Sequence, residues 1–256
     1  MIPDVGFLVL LTGALFICIK AAPATTDVDP TFEGRIVMEG DILIREEQLT
    51  ERNAIALENM RWPDATIVYK LTGWYALFPG DIKKAMRHIE ENTCIKFKAR
   101  SNEEGYVKIY KGEKESCFAD IGYFASEQRL SLGSGCKIFG RILHEMGHTI
   151  GLFHEHTRPD RDNYITVHED NIRPGSKRNY RKTPSYMTRV IGPFDYDSIM
   201  IYGETAGSRD PMHLKSMEAN KPGVTLISSR YKDRLTDLDI KKINTLYNCP
   251  GKEKFS

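Results

Sequence analysis

Apolar residues recur along this chain with two different periods, and the changes between them divide it into elements. Near the start, Val5 to Ile19 ("VGFLVLLTGALFICI") is almost unbroken in hydrophobicity and too short to span a bilayer comfortably. A polar stretch from Thr25 to Arg52 follows, with little apolar periodicity and no means of forming a core alone. From Asn53 the pattern turns globular. "TIVYKL" (Thr66 to Leu71) is rich in β-branched and aromatic residues and predicts a strand. Ile82, Ala85, Met86 and Ile89 repeat at helical spacing and predict an amphipathic helix from Pro79 to Thr93, with Asp81 as its N-cap and His88 on its solvent side. "CIKFKA" (Cys94 to Ala99) and "YVKIY" (Tyr106 to Tyr110) alternate as half-buried strands do. Phe139, Ile142, Leu143, Met146 and Ile150 form one broad stripe on a second helix between Lys137 and Gly151. Beyond it the sequence is irregular and punctuated by prolines, until Thr236 and Asp239 signal a last helix whose stripe is Ile240, Ile243, Leu246 and Tyr247. The expectation is an α+β fold: strands and helices first, a central helix, then a loop-rich half ending in a helix.

Composition narrows the class. Lys+Arg number 36 against 35 Asp+Glu, so the formal net charge is +1 and no single-signed field points to nucleic acid as a partner. The basic run "KRNYRK" (Lys177 to Lys182) reads as a solvated face, with an anionic partner such as a glycan as the alternative. The apolar opening, followed by "KAAPA", reads as a secretory signal ending between Ala21 and Ala24, although Asp4 and the lack of an early Lys or Arg also allow an uncleaved anchor. No later stretch could span a membrane. Secretion makes the cysteines disulfide candidates. Cys18 lies in the signal, and Cys94, Cys117, Cys136 and Cys249 remain, which permit three connectivities.

The chemistry concentrates in "HEMGHTIGLFH" (His144 to His154), which holds three of the chain's 7 histidines. On a helix, His144 and His148 lie one turn apart on one face. Gly151 suits a left-handed helix end, after which His154 can swing back toward the same point. Three imidazoles with one position left open describe a catalytic zinc site; a structural site is closed by four protein ligands. Glu145, beside His144, can serve as a general base toward a water whose pKa zinc lowers to about 7. An accidental match to five prescribed positions is on the order of a 10⁻⁵ event at ordinary residue frequencies. The pattern H-E-x-x-H-x-x-G-x-x-H is the metzincin signature.

With these residues the chain resembles an astacin-family metalloendopeptidase. "HEHTRPDRDNY" (His154 to Tyr164) is similar to the family's extension past the third histidine, and "DYDSIMIY" (Asp195 to Tyr202) to its Met-turn, with Ile201 where the family usually has histidine. The resemblance implies a two-subdomain metzincin fold: a twisted N-terminal sheet with helices, including the active-site helix, and an irregular C-terminal half ending in a helix. It implies one catalytic Zn2+, Met200 as the cushion beneath the ligands and Tyr202 as the phenol that stabilises the tetrahedral intermediate. It implies disulfides Cys94–Cys249 and Cys117–Cys136. "MEGD" (Met38 to Asp41) resembles the family's F-x-G-D latency motif with Met for Phe, making Asp41 the zinc ligand of a zymogen. "ERNAI" (Glu51 to Ile55) resembles the activation boundary: a trypsin-like protease cutting after Arg52 frees Asn53, whose new terminus pairs with Glu155. Lys232 is a candidate for the substrate pocket beyond the scissile bond.

The implied organisation is a signal peptide (1–24), a pro-segment (25–52), a catalytic domain (53–250) and a short tail (251–256). The expected product is a secreted, monomeric, latent zinc endopeptidase acting on protein or peptide substrates, with no nucleic-acid partner. Two other functions compete: a non-catalytic binding protein, disfavoured because Glu145 is present, and a zinc hydrolase of non-peptide substrates, disfavoured by the extended motif.

Overall fold

The computed structural model describes residues 35–45, 60–113 and 116–255; the expected signal peptide and the expected cut between Arg52 and Asn53 lie outside the described residues. The alternating segments of the N-terminal half come together in one sheet. Its strands are β1 (Arg35–Met38), β2 (Ile42–Arg45), β3 (Thr66–Leu71), β4 (Lys96–Ala99), β5 (Tyr106–Tyr110), β6 (Cys117–Asp120) and β7 (Glu127–Leu132), in the order β1-β2-β6-β7-β5-β3-β4. Strands β7, β5, β3 and β4 run parallel, β6 is antiparallel to β7, and β2 joins the outer edge of β6 in parallel. Period two puts Ile67, Tyr69, Val107, Ile109, Leu130 and Leu132 on one face, where they are buried.

Helices cover that face. After the single turn α1 (Trp74–Leu77), α2 (Gly80–Asn92) buries Ile82, Ala85, Met86 and Ile89, the stripe read from sequence. Its N-cap is Pro79 rather than Asp81; Asp81 sits in the first turn, where its charge faces the positive end of the helix dipole. His88 is not a solvent-facing residue either. It is partly buried, and its Nε2 accepts a hydrogen bond from the backbone N–H of Leu235 at 3.1 Å, tying α2 to the C-terminal half.

Helix α3 (Phe139–Ile150) is almost wholly buried between the sheet and the C-terminal half. Two aromatic side chains grip its C-terminal end: the Trp62 indole donates to the Thr149 carbonyl at 2.8 Å, and the Tyr247 hydroxyl to the Ile150 carbonyl at 2.7 Å. The C-terminal half is built mainly of loops and 3₁₀ turns around a second core of Ile165, Ile172, Tyr180, Phe194, Ile201, Met217 and Leu226. Its two strands, β8 (Ile165–Val167) and β9 (Met217–Ala219), pair antiparallel. Helix α4 (Asp237–Leu246) closes the chain behind a capping box in which Thr236 and Asp239 satisfy each other's backbone N–H groups.

The polar stretch before Asn53 differs from the sequence reading. Its "DILIR" segment forms β2, and Ile42, Leu43 and Ile44 are at most 1% exposed. Three consecutive apolar residues show no period; they become a strand because β1 and β6 supply partners for both edges.

Disulfides join Cys94 to Cys249 and Cys117 to Cys136. The first spans 155 residues and clamps the end of α2 to the end of α4. Replacing Cys94 and Cys249 together with alanine is expected to lower stability by about 3–5 kcal/mol, read as an earlier urea midpoint at unchanged slope; an unmoved midpoint would show that the clamp adds nothing to the core.

Candidate active site

Helical geometry puts His144 and His148 on the same face of α3, and Gly151, at φ 116°, ends the helix in the left-handed conformation that a residue with a Cβ resists. Gly151 donates back to the carbonyls of Gly147 and His148, and the chain returns so that His154 meets the other two. The three Nε2 atoms converge: His144 lies 3.1 Å from His154 and 3.2 Å from His148. Asp41 approaches from the N-terminal segment, with Oδ2 3.4 Å from His144 Nε2 and Oδ1 3.2 Å from His154 Nε2 and 3.7 Å from His148 Nε2.

The other ring nitrogens decide what this cluster can hold. His144 Nδ1 donates to the Ile199 carbonyl at 2.8 Å, His148 Nδ1 to the Leu152 carbonyl at 2.7 Å, and His154 Nδ1 to the Glu39 carboxylate at 2.8 Å. With the proton fixed on Nδ1, each Nε2 presents a lone pair inward. Three lone pairs and a carboxylate then face one another, and Asp41 Oδ1 is buried with no hydrogen-bond partner. Such a donor set requires a cation. A tetrahedral ion with ligand bonds of 2.0–2.1 Å has ligand–ligand edges of roughly 3.3 Å, the spacing found here. Among the described residues this is the one group of His, Cys, Asp and Glu side chains suited to a metal.

The local field is strongly negative. Burial alone would lower the proton affinity of His154, but the carboxylates of Asp41 and Glu39 outweigh it and push the ring up to about 10. Without a cation the same contacts are met by protons: burial works to raise Asp41, yet the charge of a protonated His154 and ring N–H groups of His144 and His154 turned toward it hold it well below the usual carboxylate range. Glu145 borders the cluster. Burial, then the charge of Asp41, raises its carboxyl well above the ordinary value, and its Oε2 has no partner. The cleft outside is bordered by Arg141, Arg173, Asn179, Tyr202 and Ser228.

Beneath the cluster lies the turn that carries Met200. A Cβ on Gly147 would come within 2.5 Å of the Met200 sulfur, so the glycine between the first two histidines makes room for this methionine. Asp239 fastens the same turn to α4: it accepts from Ser198 Oγ at 2.6 Å and from the Ile199 N–H at 2.8 Å. Since the Ile199 carbonyl holds His144, the last helix reaches the histidine cluster through one residue.

The family model for astacin, a family of peptidases, matches residues 54–248. The chain belongs to the astacin family. It is 42% identical over 253 residues to astacin-like metalloprotease toxin 1 of Loxosceles intermedia, covering 98% of this chain and 94% of the relative. It is 37% identical over 235 residues to zinc metalloproteinase nas-4 of Caenorhabditis elegans, covering 87% of this chain and 72% of the relative. Among solved structures it is similar to high choriolytic enzyme 1, a hatching-enzyme zinc protease of Oryzias latipes, with a TM-score of 0.66 and 32% identity over 74% of this chain and 93% of that one. This astacin is therefore a zinc metallopeptidase of α+β metzincin fold, and zinc is the ion its donor set fits.

Several residues of this astacin escaped sequence reasoning or sit elsewhere than expected. Glu39 is 3% exposed and adopts φ 55°. Its carboxylate accepts from the N–H and Nδ1 of His154 and from the Thr183 hydroxyl, and its carbonyl accepts from Tyr202 Oη at 2.5 Å. Gly40 follows at φ 99°, and a Cβ there would strike Asn179 at 2.7 Å and the Tyr202 hydroxyl at 3.0 Å. Tyr202 stacks on His156 with ring centroids 4.1 Å apart. Ile201, where the family usually has histidine, is 1% exposed and belongs to the second core, against which Tyr202 also packs. Lys232 donates from Nζ to the Ser198 carbonyl at 2.7 Å and lines a hollow with Asp195, Asp197, Ile227 and Tyr231. Glu155 is buried and already paired with Lys242 Nζ at 2.7 Å and Arg158 Nη1 at 2.9 Å, while Asn53 lies outside the described residues.

Gly147→Ala is expected to cost about 1–3 kcal/mol in unfolding free energy and to reduce zinc retention during dialysis, with Met200→Ala restoring part of the loss. An additive double variant would show that the two positions do not share one packing constraint.

Proposed function

We propose that this astacin is a secreted endopeptidase made as a latent precursor, in which the segment around Asp41 closes the active site until it is cut away. The observation that carries the proposal is the Asp41 carboxylate lodged among His144, His148 and His154, in the place an open coordination position needs. The surrounding contacts support it. Glu39 engages His154, Tyr202 and Thr183, Gly40 fits where no side chain could, and β2 covers the edge of β6. An extended peptide substrate needs that same edge, because strand addition satisfies its backbone. The precursor therefore fills the metal's open position and the strand edge together.

In the processed enzyme His144, His148 and His154 hold the zinc and Met200 supports them from below. Zinc supplies Lewis acidity, polarising the scissile carbonyl and acidifying water. Glu145 is the general base: its carboxylate takes a proton from the attacking water and returns it to the departing amine. Tyr202 loses its acceptor when Glu39 leaves, which frees its hydroxyl to donate to the oxyanion of the tetrahedral intermediate. In the precursor, burial and then the carboxylates of Asp41 and Glu39 raise the phenol well above its ordinary value, so Tyr202 holds its proton there as a hydroxyl donor.

Activation follows from a cut after Arg52 by a trypsin-like protease, releasing Asn53 as the new terminus. A small cavity beside Glu155, lined by Leu152, Phe153, Lys242 and Leu246, is where that terminus would be received. The incoming ammonium has to share Glu155 with Lys242 or displace it. Export is supported by the apolar leader, and by the toxin named among the relatives. No helix among the described residues is long and apolar enough to cross a membrane, and a monomer suffices for the chemistry.

Proteomic peptide-library cleavage by the precursor and by the chain processed at Arg52 tests this reading, with activity expected only after processing. Asp41→Ala is expected to give the uncut chain measurable activity, and unchanged latency would remove the switch. Glu145→Gln in the processed enzyme is expected to keep its zinc and to lose about 10²–10⁴-fold in kcat. A variant that turns over normally would reassign the base.

A further inference from the structure

The segment "GWYALFPG" (Gly73 to Gly80) takes no part in the site described above. It leaves the end of β3 as the single turn α1, and it is built inside out. Tyr75 points inward, 4% exposed, and donates to the Leu132 carbonyl at 3.0 Å, which anchors the turn to the sheet. Trp74, Leu77 and Phe78 point outward at 44%, 74% and 56% exposure. The rings of Trp74 and Phe78 pack against each other with centroids 4.3 Å apart and form one apolar surface, with Leu77 on the same turn. Its two ends are open: among the described residues, a Cβ on either flanking glycine, Gly73 or Gly80, would meet no atom within 4 Å. Three large apolar side chains on a projecting turn are costly to leave in water and mark an interaction surface.

The cations around the tip indicate its partner. Lys137 Nζ lies 4.6 Å and Lys111 Nζ 5.9 Å from the Trp74 ring centroid, both on exposed residues. Neither lysine has an ion-pair partner among the described residues. A tip bearing Trp, Leu and Phe with lysines at its rim has the composition of an interfacial membrane anchor: the rings enter the headgroup layer while the ammonium groups meet anionic lipid. A protein partner fits less well. Stable protein interfaces bury about 1,200–2,000 Å², far more than three side chains on one four-residue turn can supply, and a convex tip suits a yielding surface better than a rigid one.

We propose that the Trp74–Leu77–Phe78 tip, with Lys111 and Lys137, docks this protein peripherally on anionic phospholipid surfaces.

The chain carries its own reporter. Its two tryptophans are Trp62 and Trp74, and Trp62 is 2% exposed with its indole hydrogen-bonded to Thr149, so a change in emission on adding vesicles reads Trp74. The test is fluorescence and co-sedimentation of the secreted chain, from residue 25 onward, with phosphatidylcholine vesicles, with and without phosphatidylserine, at low salt. A blue shift and sedimentation are expected with phosphatidylserine present, neither is expected without it, and Trp74→Phe should sediment with no shift. Lys111→Ala with Lys137→Ala is expected to lower partitioning roughly 10- to 30-fold, and Leu77→Ala with Phe78→Ala to abolish sedimentation. These side chains are exposed, so peptidase activity of the processed variants serves as the check on folding. An absent shift on phosphatidylserine vesicles, an equal response on pure phosphatidylcholine, or unchanged partitioning of both double variants would overturn the proposal.

Discussion

Three imidazole lone pairs and one carboxylate, all aimed at the same few cubic ångströms, repel one another unless a cation sits between them. The rest of the molecule is arranged to keep them aimed there. Each ring is prevented from turning by a hydrogen bond at its far nitrogen, from Ile199, Leu152 or Glu39 as acceptor. Two of these acceptors are backbone carbonyls, so the ring orientations are set by chain path. The Leu152 carbonyl is placed by the helix end at Gly151, and the Ile199 carbonyl by the turn that Asp239 holds from the last helix. Those anchors rest in turn on the grip of Trp62 and Tyr247 on α3 and on the Cys94–Cys249 clamp.

The same economy governs the N-terminal segment. Four consecutive residues from Met38 to Asp41 end a strand, complete the acceptor set of the third histidine, slip a glycine past Asn179 and Tyr202, and deliver a carboxylate to the cluster. None of these contacts belongs to the catalytic half alone. Removing the segment would open the cleft and also take from His154 its carboxylate and from Tyr202 its acceptor. In the proposed reading, latency and readiness are thus two arrangements of one group of residues.

What could be read from the sequence follows from the range of each interaction. His144, Glu145 and His148 were legible because helical periodicity makes spacing equivalent to geometry, and Gly151 and His154 because a glycine turn needs only local information. The central helix, α2 and strands β3, β4 and β5 announced themselves by period in the same way. Glu39 was silent: it meets His154 across 115 residues, and a glutamate beside a glycine carries no mark of burial. Strand β2 was missed because Ile42, Leu43 and Ile44 form an unpatterned run whose partner on β6 lies some 75 residues away in the chain. Asp239 was recognised as a helix-start residue, and its second task of holding the Met200 turn depends on tertiary packing that no local pattern encodes. The contact of Lys232 with the Ser198 carbonyl was silent for a related reason. The loops between Pro211 and Leu235 have no period, so sequence position gave no guide to which side of the turn the lysine reaches.

The central claim concerns the four ligand atoms, and it is tested most directly by X-ray absorption at the zinc edge on the purified, unprocessed chain. The account predicts one zinc per chain with a first shell of three imidazole nitrogens and carboxylate oxygen at about 2.0–2.2 Å, the oxygen contribution changing in Asp41→Ala while the nitrogens remain. A shell with fewer than three imidazoles, or one that Asp41→Ala leaves unaltered, would contradict it.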